Sequence, residues 1–215
     1  MSTEQGPDST AGEKTEPQAP RPKRRIGLVA LVAALAYAVD LVTKIIVTAT
    51  LEGEEPVRIL GGLVYLQLLR NPNAAYGLDI GGTWLLAVIA IIVVGVIIWF
   101  ASRLRSVGWA IGLGLVLAGA LGNLTDRIFR APGVLHGHVV DFISVLEPNG
   151  EFFPVFNAAD SAITVGAALI VLLSLLGRDY DGTVVARKTK KRSSGDGDDG
   201  EDGDGHDASG QERDR

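Results

Sequence analysis

Two carboxylates stand in parts of the chain that are otherwise apolar. Asp141 interrupts the run Val139-Val-Asp-Phe-Ile143, and Asp160 lies just before a long hydrophobic stretch. If they meet at low dielectric, the two cannot comfortably both ionise, so one holds a proton while the other stays charged. Aspartic hydrolysis requires this state, because one carboxylate draws a proton from water and the other protonates or hydrogen-bonds a peptide carbonyl.

Asp160 also fits a structural role at the beginning of a helix. Asn157 suits the N-cap position and Asp160 the third helical position, which together resemble a capping box. The helix dipole further favours a carboxylate in the first turn. The sequence leaves the structural and the catalytic role open.

Asp40 and Lys44 lie inside the first hydrophobic stretch, four residues apart and therefore on one face of a helix. Ionisable residues within a membrane segment are candidates for function. At a rise of about 1.5 Å per residue, Asp40 falls in the outer half of a bilayer core roughly 30 Å thick. The pair is either a stabilising ion pair or part of a site, and both alternatives require it to face protein.

Three more polar residues, Asn123, Asp126 and Arg127, come where the third hydrophobic stretch ends. A carboxylate is poorly placed at the C-terminal end of a helix dipole, so Asp126 is expected to have a cationic partner, with Arg127 the obvious candidate. The pattern fits a turn-and-cap network as well as a set of substrate contacts. The same stretch carries glycines that allow close helix packing, at Gly112, Gly114, Gly119 and Gly122.

Hydrophobic helices must position these residues. The chain has 215 residues, 47% of them hydrophobic, and the apolar residues fall in blocks without the periodicity of a soluble domain. Four blocks have roughly the 17 to 25 residues that cross a bilayer as a helix. They run from about Ile26 to Val47, Trp84 to Ala101, Val107 to Leu124 and Asp160 to Leu176. The predicted fold class is an all-α integral membrane protein with four transmembrane helices.

Basic residues predict the orientation of these helices. They precede the first helix, occupy the loop between the second and third, and follow the fourth, which indicates that both termini are cytoplasmic. The loops of about residues 48–83 and 125–159 then face outward with the candidate site. A signal peptide cleaved after Ala36-Tyr37-Ala38 is an alternative, but the apolar pattern continues through Val47 and favours a retained helix.

The two ends of the chain differ from this core. Residues 1–25 and 178–215 are charged and poor in apolar side chains, and they are expected to be disordered cytoplasmic segments flanking a membrane domain at 26–177. The acidic run from Asp196 to Asp207 lacks the register of a calcium loop, because Gly200 falls at a ligand position. The chain has no cysteine, which excludes disulfides, thiolate metal sites and a cysteine nucleophile.

Five ordered motifs resemble those of the lipoprotein signal peptidases (signal peptidase II), the membrane aspartyl peptidases of bacteria. The resemblance extends over approximately residues 30–177. The motifs are Asp40-Leu-Val-Thr-Lys44, Arg70-Asn71-Pro-Asn-Ala-Ala-Tyr-Gly77, Gly122-Asn123-Leu-Thr-Asp126-Arg127, Val139-Val-Asp141-Phe142 and Phe156-Asn157-Ala-Ala-Asp160. Asn73 and Tyr76 depart from the usual Gly and Phe, and the loop 128–138 is longer than in the family's shortest forms, so that it is a candidate flexible loop over the site.

The resemblance implies that Asp141 and Asp160 are the catalytic dyad. It implies that seven other polar residues orient the dyad or bind substrate, namely Asn71, Asn123, Asp126, Arg127, Asn157, Asp40 and Lys44. Family substrates are prolipoproteins with a diacylglyceryl group on a cysteine, cleaved just before that cysteine at the extracytoplasmic face of the bacterial cytoplasmic membrane. The membrane lipid would hold the scissile bond at the depth of the dyad. No cofactor, metal or nucleic acid is implied, and a monomer is expected.

The resemblance also implies a small extracytoplasmic β-sheet beside the helices. The alternating segment Leu60 to Leu69 is expected to contribute to it, with Trp84 near the membrane interface. Two rival functions fit the sequence less well than a peptidase. A zinc site at His136 and His138 has too few histidines and no H-E-x-x-H motif. A transporter or channel would need polar groups along the whole path, whereas the ionisable residues cluster at the outer ends of the helices.

Overall fold

Four long helices and a small sheet make up the protein in a computed structural model that describes residues 23–72 and 82–184. The helices are α1 (Ile26–Thr50), α2 (Thr83–Ala101), α3 (Val107–Phe129) and α4 (Ala158–Leu175). The strands are β1 (Val57–Ile59), β2 (Val64–Asn71) and β3 (Val139–Val145), with short 3₁₀ turns at Leu60–Gly62 and Pro148–Gly150. By length and composition, all four helices are able to cross a membrane. The predicted fold class is therefore confirmed.

The helix ends differ from the sequence prediction in ways that matter for the site. Helix α1 continues to Thr50 and α3 to Phe129, so Asp126 and Arg127 lie inside the last turn of α3 and not in a turn beyond it. Predicted transmembrane segments end where hydropathy falls, whereas a helix ends where its hydrogen bonds do. The polar motif of α3 is consequently part of the same continuous helix as its hydrophobic residues.

Helix α3 is the centre of the bundle. It packs against α1, α2 and α4, and most of it is buried, whereas the other three helices expose most of their apolar surface. Glycine makes the close packing possible. A Cβ atom at Gly119 would collide with the carbonyl oxygen of Ala159 and with Ile163, and one at Gly114 would lie 2.9 Å from Cβ of Val32. Small residues at a membrane helix interface let backbones approach in this way.

The sheet is antiparallel throughout, in the order β1-β2-β3. The sheet predicted around Leu60 to Leu69 is present, although its first residues form a 3₁₀ turn and β2 extends to Asn71. Strand β3 pairs with β2 so that Asp141 lies opposite Leu69, with a register irregularity between Leu66 and Leu69. Buried side chains of β3 pack with Val47 near the end of α1 and attach the sheet to the bundle.

At the opposite end of the bundle, the chain after α4 folds back on the loop between α2 and α3. The carbonyl of Tyr180 accepts the backbone N–H groups of Arg105 and Ser106, and its ring packs on Phe100 and Trp109. Residues 178 and 184 form an isolated β-bridge. The division of the chain at residues 25 and 177 stays a prediction, since most of both ends lies outside the described residues.

The glycine contacts predict that Gly119→Ala destabilises the bundle, because the added methyl group forces α3 and α4 apart. Overpacking of this kind costs about 1–3 kcal/mol. Thermal unfolding of the purified protein in detergent measures the effect. The matched control is Gly95→Ala in α2, where a Cβ atom meets nothing within 4 Å. Equal melting temperatures for the two variants would contradict the packing argument.

Candidate active site

Asn157 and Asp160 begin helix α4 as a complete capping box. The Asn157 side-chain oxygen accepts the backbone N–H of Asp160 at 2.9 Å, and Oδ2 of Asp160 accepts the backbone N–H of Asn157 at 3.1 Å. The other carboxylate oxygen, Oδ1, accepts Nδ2 of Asn123 at 2.7 Å. One oxygen of Asp160 therefore caps the helix while the other faces a polar cluster, so the capping role is present and does not exclude a role in a site.

Asp141 is brought to the same cluster by strand β3. Asp141 is 2% exposed. Each of its carboxylate oxygens accepts an N–H group from a side-chain amide. Nδ2 of Asn71, from the end of β2, lies 2.8 Å from Oδ2, and Nδ2 of Asn157 lies 2.7 Å from Oδ1. Backbone hydrogen bonds between Ile143 and Phe156 draw β3 to the start of α4. Asn157 thus connects the two aspartates, capping the helix of one and binding the carboxylate of the other.

Burial raises the pKa of Asp141 to about 7. Desolvation of the carboxylate is the largest cause, and the charge of Asp160 raises the pKa further. The hydrogen bonds from Asn71 and Asn157 and the charge of Lys44 act in the opposite direction. A carboxyl group with this pKa exchanges its proton near neutral pH, as an acid-base catalyst requires.

Asp40 and Lys44 form a buried ion pair that faces protein, as both sequence interpretations required. Nζ of Lys44 lies 2.8 Å from Oδ2 of Asp40 and 2.8 Å from Oδ2 of Asp126. It also donates to Oδ1 of Asn123 at 3.1 Å. Oδ1 of Asp40 accepts the backbone N–H of Ala159 at 2.9 Å, which joins α1 to the residue preceding Asp160.

The expectation that Arg127 is the partner of Asp126 is wrong. Asp126 pairs with Lys44 and with Arg130, one helical turn further on. Neighbouring residues on a helix project about 100° apart, so Arg127 points away from the face that carries Asp126. Arg130 was not singled out from the sequence, although its spacing of four residues from Asp126 is the signal that could have identified it.

Arg127 instead borders the cavity beside the two aspartates. Its Nη1 donates to the carbonyl oxygen of Asn123 at 3.2 Å, while its buried Nε finds no hydrogen-bond partner among the described residues. Only 9% of Arg127 is exposed. A buried donor left without a partner is unfavourable unless a ligand satisfies it. Arg127 therefore brings a cation, with an Nε–H that no described residue accepts, to the cavity of the two aspartates.

The cavity has a volume of about 570 Å³, and Asp141 and Asp160 both line it. Much of the remaining surface is apolar, including Phe153 and Ile163, and the other polar residues that line the cavity are Asn71, Asn123, Arg127, Ser161 and Thr164. Aligned amide donors at one end and apolar walls elsewhere suit an extended apolar chain with one polar bond to be attacked.

Other predicted features fall outside this cavity. His136 is exposed, with Nδ1 at 3.0 Å from the carbonyl oxygen of Val134, and the described residues contain no group of three side chains arranged to hold a metal. The loop 128–138 is pinned by hydrogen bonds from Gly137 N–H to Arg127 and from His138 N–H to Ala131, each 3.0 Å. Asn73 and Tyr76 lie outside the described residues.

A membrane bundle that brings two aspartates to one cavity defines the class of a multi-pass membrane aspartic peptidase. The family model described as signal peptidase (SPase) II matches residues 32–176, and the chain belongs to that family. The predicted enzyme class is thereby confirmed, and the transporter alternative is excluded.

The comparisons with known proteins agree. The chain is 48% identical over 176 residues to a lipoprotein signal peptidase of Rhodococcus jostii (strain RHA1), covering 82% of this chain and 86% of the relative. It is 51% identical over 168 residues to a lipoprotein signal peptidase of Streptomyces coelicolor, covering 78% of this chain and 80% of the relative. A bacterial membrane enzyme solved by the in meso method at 2.3 Å resolution superimposes with a TM-score of 0.63 and 31% identity, covering 73% of this chain and 93% of that one.

The raised pKa of Asp141 predicts that the stability difference between Asp141→Asn and the unsubstituted protein depends on pH. Because its folded pKa of about 7 exceeds the model value of 3.8, folding favours the protonated form, and this contribution is lost as the pH rises toward and through 7. Asp141→Asn removes that dependence. The melting temperature of the variant relative to the unsubstituted protein should therefore be higher at pH 8 than at pH 5. A difference that does not change with pH would show that the Asp141 carboxyl titrates normally.

Proposed function

We propose that this enzyme removes signal peptides from diacylglyceryl-modified prolipoproteins by hydrolysing the peptide bond before the lipidated cysteine. Asp141 and Asp160 are the catalytic pair. The observation that carries the proposal is the convergence of the two carboxylates on one cavity, connected through Asn157, with the pKa of Asp141 raised to about 7. The names of the relatives support the substrate class.

In the proposed reaction the pair holds one proton between two carboxylates. The ionised carboxylate draws a proton from a water molecule as its oxygen attacks the scissile carbonyl carbon, and the protonated one donates to the carbonyl oxygen. The tetrahedral intermediate then collapses, the C–N bond breaks, and a proton passes to the leaving amine. The positive charge of Arg127 balances the single negative charge of the pair and offers Nε–H to a substrate acceptor.

Three asparagines support this role by fixing the carboxylates. Asn71, Asn123 and Asn157 each aim an amide N–H at a dyad oxygen at 2.7 or 2.8 Å. A neutral donor orients a carboxylate without adding a charge that would abolish its shared proton. The catalytic oxygens are therefore positioned before substrate binds, which lowers the reorganisation needed for reaction.

The apolar part of the cavity supports a lipid-bearing substrate. Ile163 and Val165 of α4 line it, and Val165 is also among the exposed residues of that helix. Acyl chains contribute about 0.8 kcal/mol per buried CH₂ group to membrane binding, so the modified cysteine is held at the bilayer surface. Confinement at that depth brings the adjacent peptide bond to the aspartates.

We further propose that the active site faces the extracytoplasmic side and that both termini are cytoplasmic. Lys23, Arg24 and Arg25 precede α1, and Arg103 and Arg105 lie between α2 and α3, all at the end of the bundle away from the cavity. Positive charge in short loops favours the cytoplasmic side. All proposed catalytic and orienting residues come from one chain, consistent with a monomeric enzyme.

The dyad assignment predicts that Asp141→Asn and Asp160→Asn each abolish cleavage of a diacylglyceryl-modified prolipoprotein, by at least about 10³-fold, while the protein stays in the membrane. Gel-shift assays with purified enzyme and substrate measure the loss. Asp181→Asn is the matched control, because Asp181 lies in the turn after α4, where it accepts the backbone N–H of Thr183, and it does not line the cavity. Chelators should have no effect. Retained cleavage in either dyad variant would refute the assignment, and loss of activity with a chelator would favour a metal mechanism.

The orientation can be tested because the chain has no cysteine. In Glu55→Cys, on the loop between α1 and β1, the thiol should react with a membrane-impermeant maleimide in intact cells. In Arg103→Cys, between α2 and α3, it should react only after the membrane is permeabilised. The reverse labelling pattern would invert the proposed topology without affecting the catalytic assignment.

A further inference from the structure

We propose that Arg130 is a positioning residue for the peptidase reaction, completing a neutral buried charge cluster that fixes both catalytic aspartates. The charge cluster consists of Asp40, Lys44, Asp126 and Arg130. This inference rests on the proposed function of Asp141 and Asp160, but none of the four members is one of them. It assigns a purpose to the loop that begins at Arg130, which the catalytic scheme does not use.

Asp126 connects the charge cluster to Asp141. Its Oδ1 contacts Nε of Arg130, while its Oδ2 accepts Nζ of Lys44 at 2.8 Å and the backbone N–H of Val140 at 3.2 Å. Val140 directly precedes Asp141 in β3 and is fully buried. Arg130 therefore holds one oxygen of a carboxylate whose other oxygen anchors the strand that carries Asp141.

Lys44 and Asp40 connect the charge cluster to Asp160. Lys44 donates to Oδ1 of Asn123, which turns the Nδ2 group of the same amide toward Oδ1 of Asp160 at 2.7 Å. Asp40 holds the backbone N–H of Ala159, next to Asp160. A shift of the charge cluster therefore reaches Asp141 through Val140. It reaches Asp160 through Asn123 and through Ala159.

The charge cluster contains two carboxylates and two cations, so it is electrically neutral only with Arg130. Without Arg130 it carries one uncompensated negative charge in a region where the side chains of Asp40, Lys44 and Asp126 are at most 3% exposed. The charged groups facing this region are Arg127 of α3, Asp141 of β3 and Asp160 of α4, besides Lys44 and Asp40 of α1. An added negative charge there disfavours ionisation of the catalytic pair.

The local backbone positions the side chain of Arg130 beside Asp126. Arg130 follows the last residue of α3, and its own N–H bonds to the carbonyl oxygen of Asp126 at 3.0 Å. Gly137 packs on the last carbonyls of α3, where a Cβ atom would collide with the carbonyl oxygen of Asp126 and lie 2.8 Å from that of Arg130. The side chain of Arg130 is 21% exposed, the most accessible of the charge cluster.

The test compares Arg130→Gln and Arg130→Lys with Arg58→Gln, a control at an exposed arginine of β1 that reaches only the carbonyl oxygen of Gly61 in the structure. Purified full-length enzyme cleaves a diacylglyceryl-modified prolipoprotein, and kcat and KM are measured across pH. For Arg130→Gln we expect kcat to fall about tenfold with KM within about twofold, and the pH profile to move upward. Arg130→Lys keeps the charge and should retain the original pH profile with most of kcat.

A second arm tests charge balance directly. Adding Asp126→Asn to Arg130→Gln restores neutrality, so the pH profile of the double variant should return toward that of the unsubstituted enzyme. Arg130→Gln with unchanged kcat and pH profile would overturn the inference. So would an Arg130→Lys variant as impaired as Arg130→Gln, or a folding defect that Arg130→Lys does not correct. Activity in Asp141→Asn, measured in parallel, would instead refute the proposed function.

Discussion

The buried ammonium group of Lys44 is the constraint on which the site depends. An unpaired charge within a membrane bundle is strongly unfavourable, so this group must be surrounded by acceptors. Two carboxylates and an amide oxygen supply them, from Asp40 on its own helix and from Asp126 and Asn123 on α3. Since Asp40 in turn binds the N–H of Ala159, satisfying one charge aligns α1, α3 and α4 at the end where the cavity lies.

Asn157 combines helix capping with a contact to the second of the two proposed catalytic aspartates. Its side-chain oxygen caps α4, and its Nδ2 binds the carboxylate of Asp141, so the residue that begins a helix also joins the two aspartates. Most helix caps contribute only stability. Here the cap fixes the position of one aspartate through the helix backbone and of the other through a hydrogen bond. The capping role of Asp160 is compatible with its proposed catalytic role, because each of its oxygens has a different partner.

The sequence predicts the four helices, and it predicts that the candidate site residues lie at one end of the bundle, because hydropathy and the order of the motifs are sufficient for both. It does not predict which side chains contact each other or which strands pair. Asp126 was expected to pair with Arg127, but the rotation of α3 turns that arginine into the cavity and brings Asp126 to Lys44 and Arg130. Strand β3 is likewise recognisable in the sequence only as an apolar run around Asp141, because its pairing with β2 depends on residues some 70 positions away.

Glycine explains why so many ionisable groups are tolerated together. At Gly122 a Cβ atom would collide with Oδ2 of Asp40 and lie 3.2 Å from Cβ of Ala159, so only glycine lets the carboxylate pass between α3 and α4. The closeness of these helices excludes water, and exclusion of water strengthens every ion pair and hydrogen bond inside. Burial on strand β3 likewise disfavours the charged form of Asp141 and raises its pKa to about 7. The small-residue packing of α3 therefore makes room for the buried ion pair of α1 beside the residue that precedes Asp160.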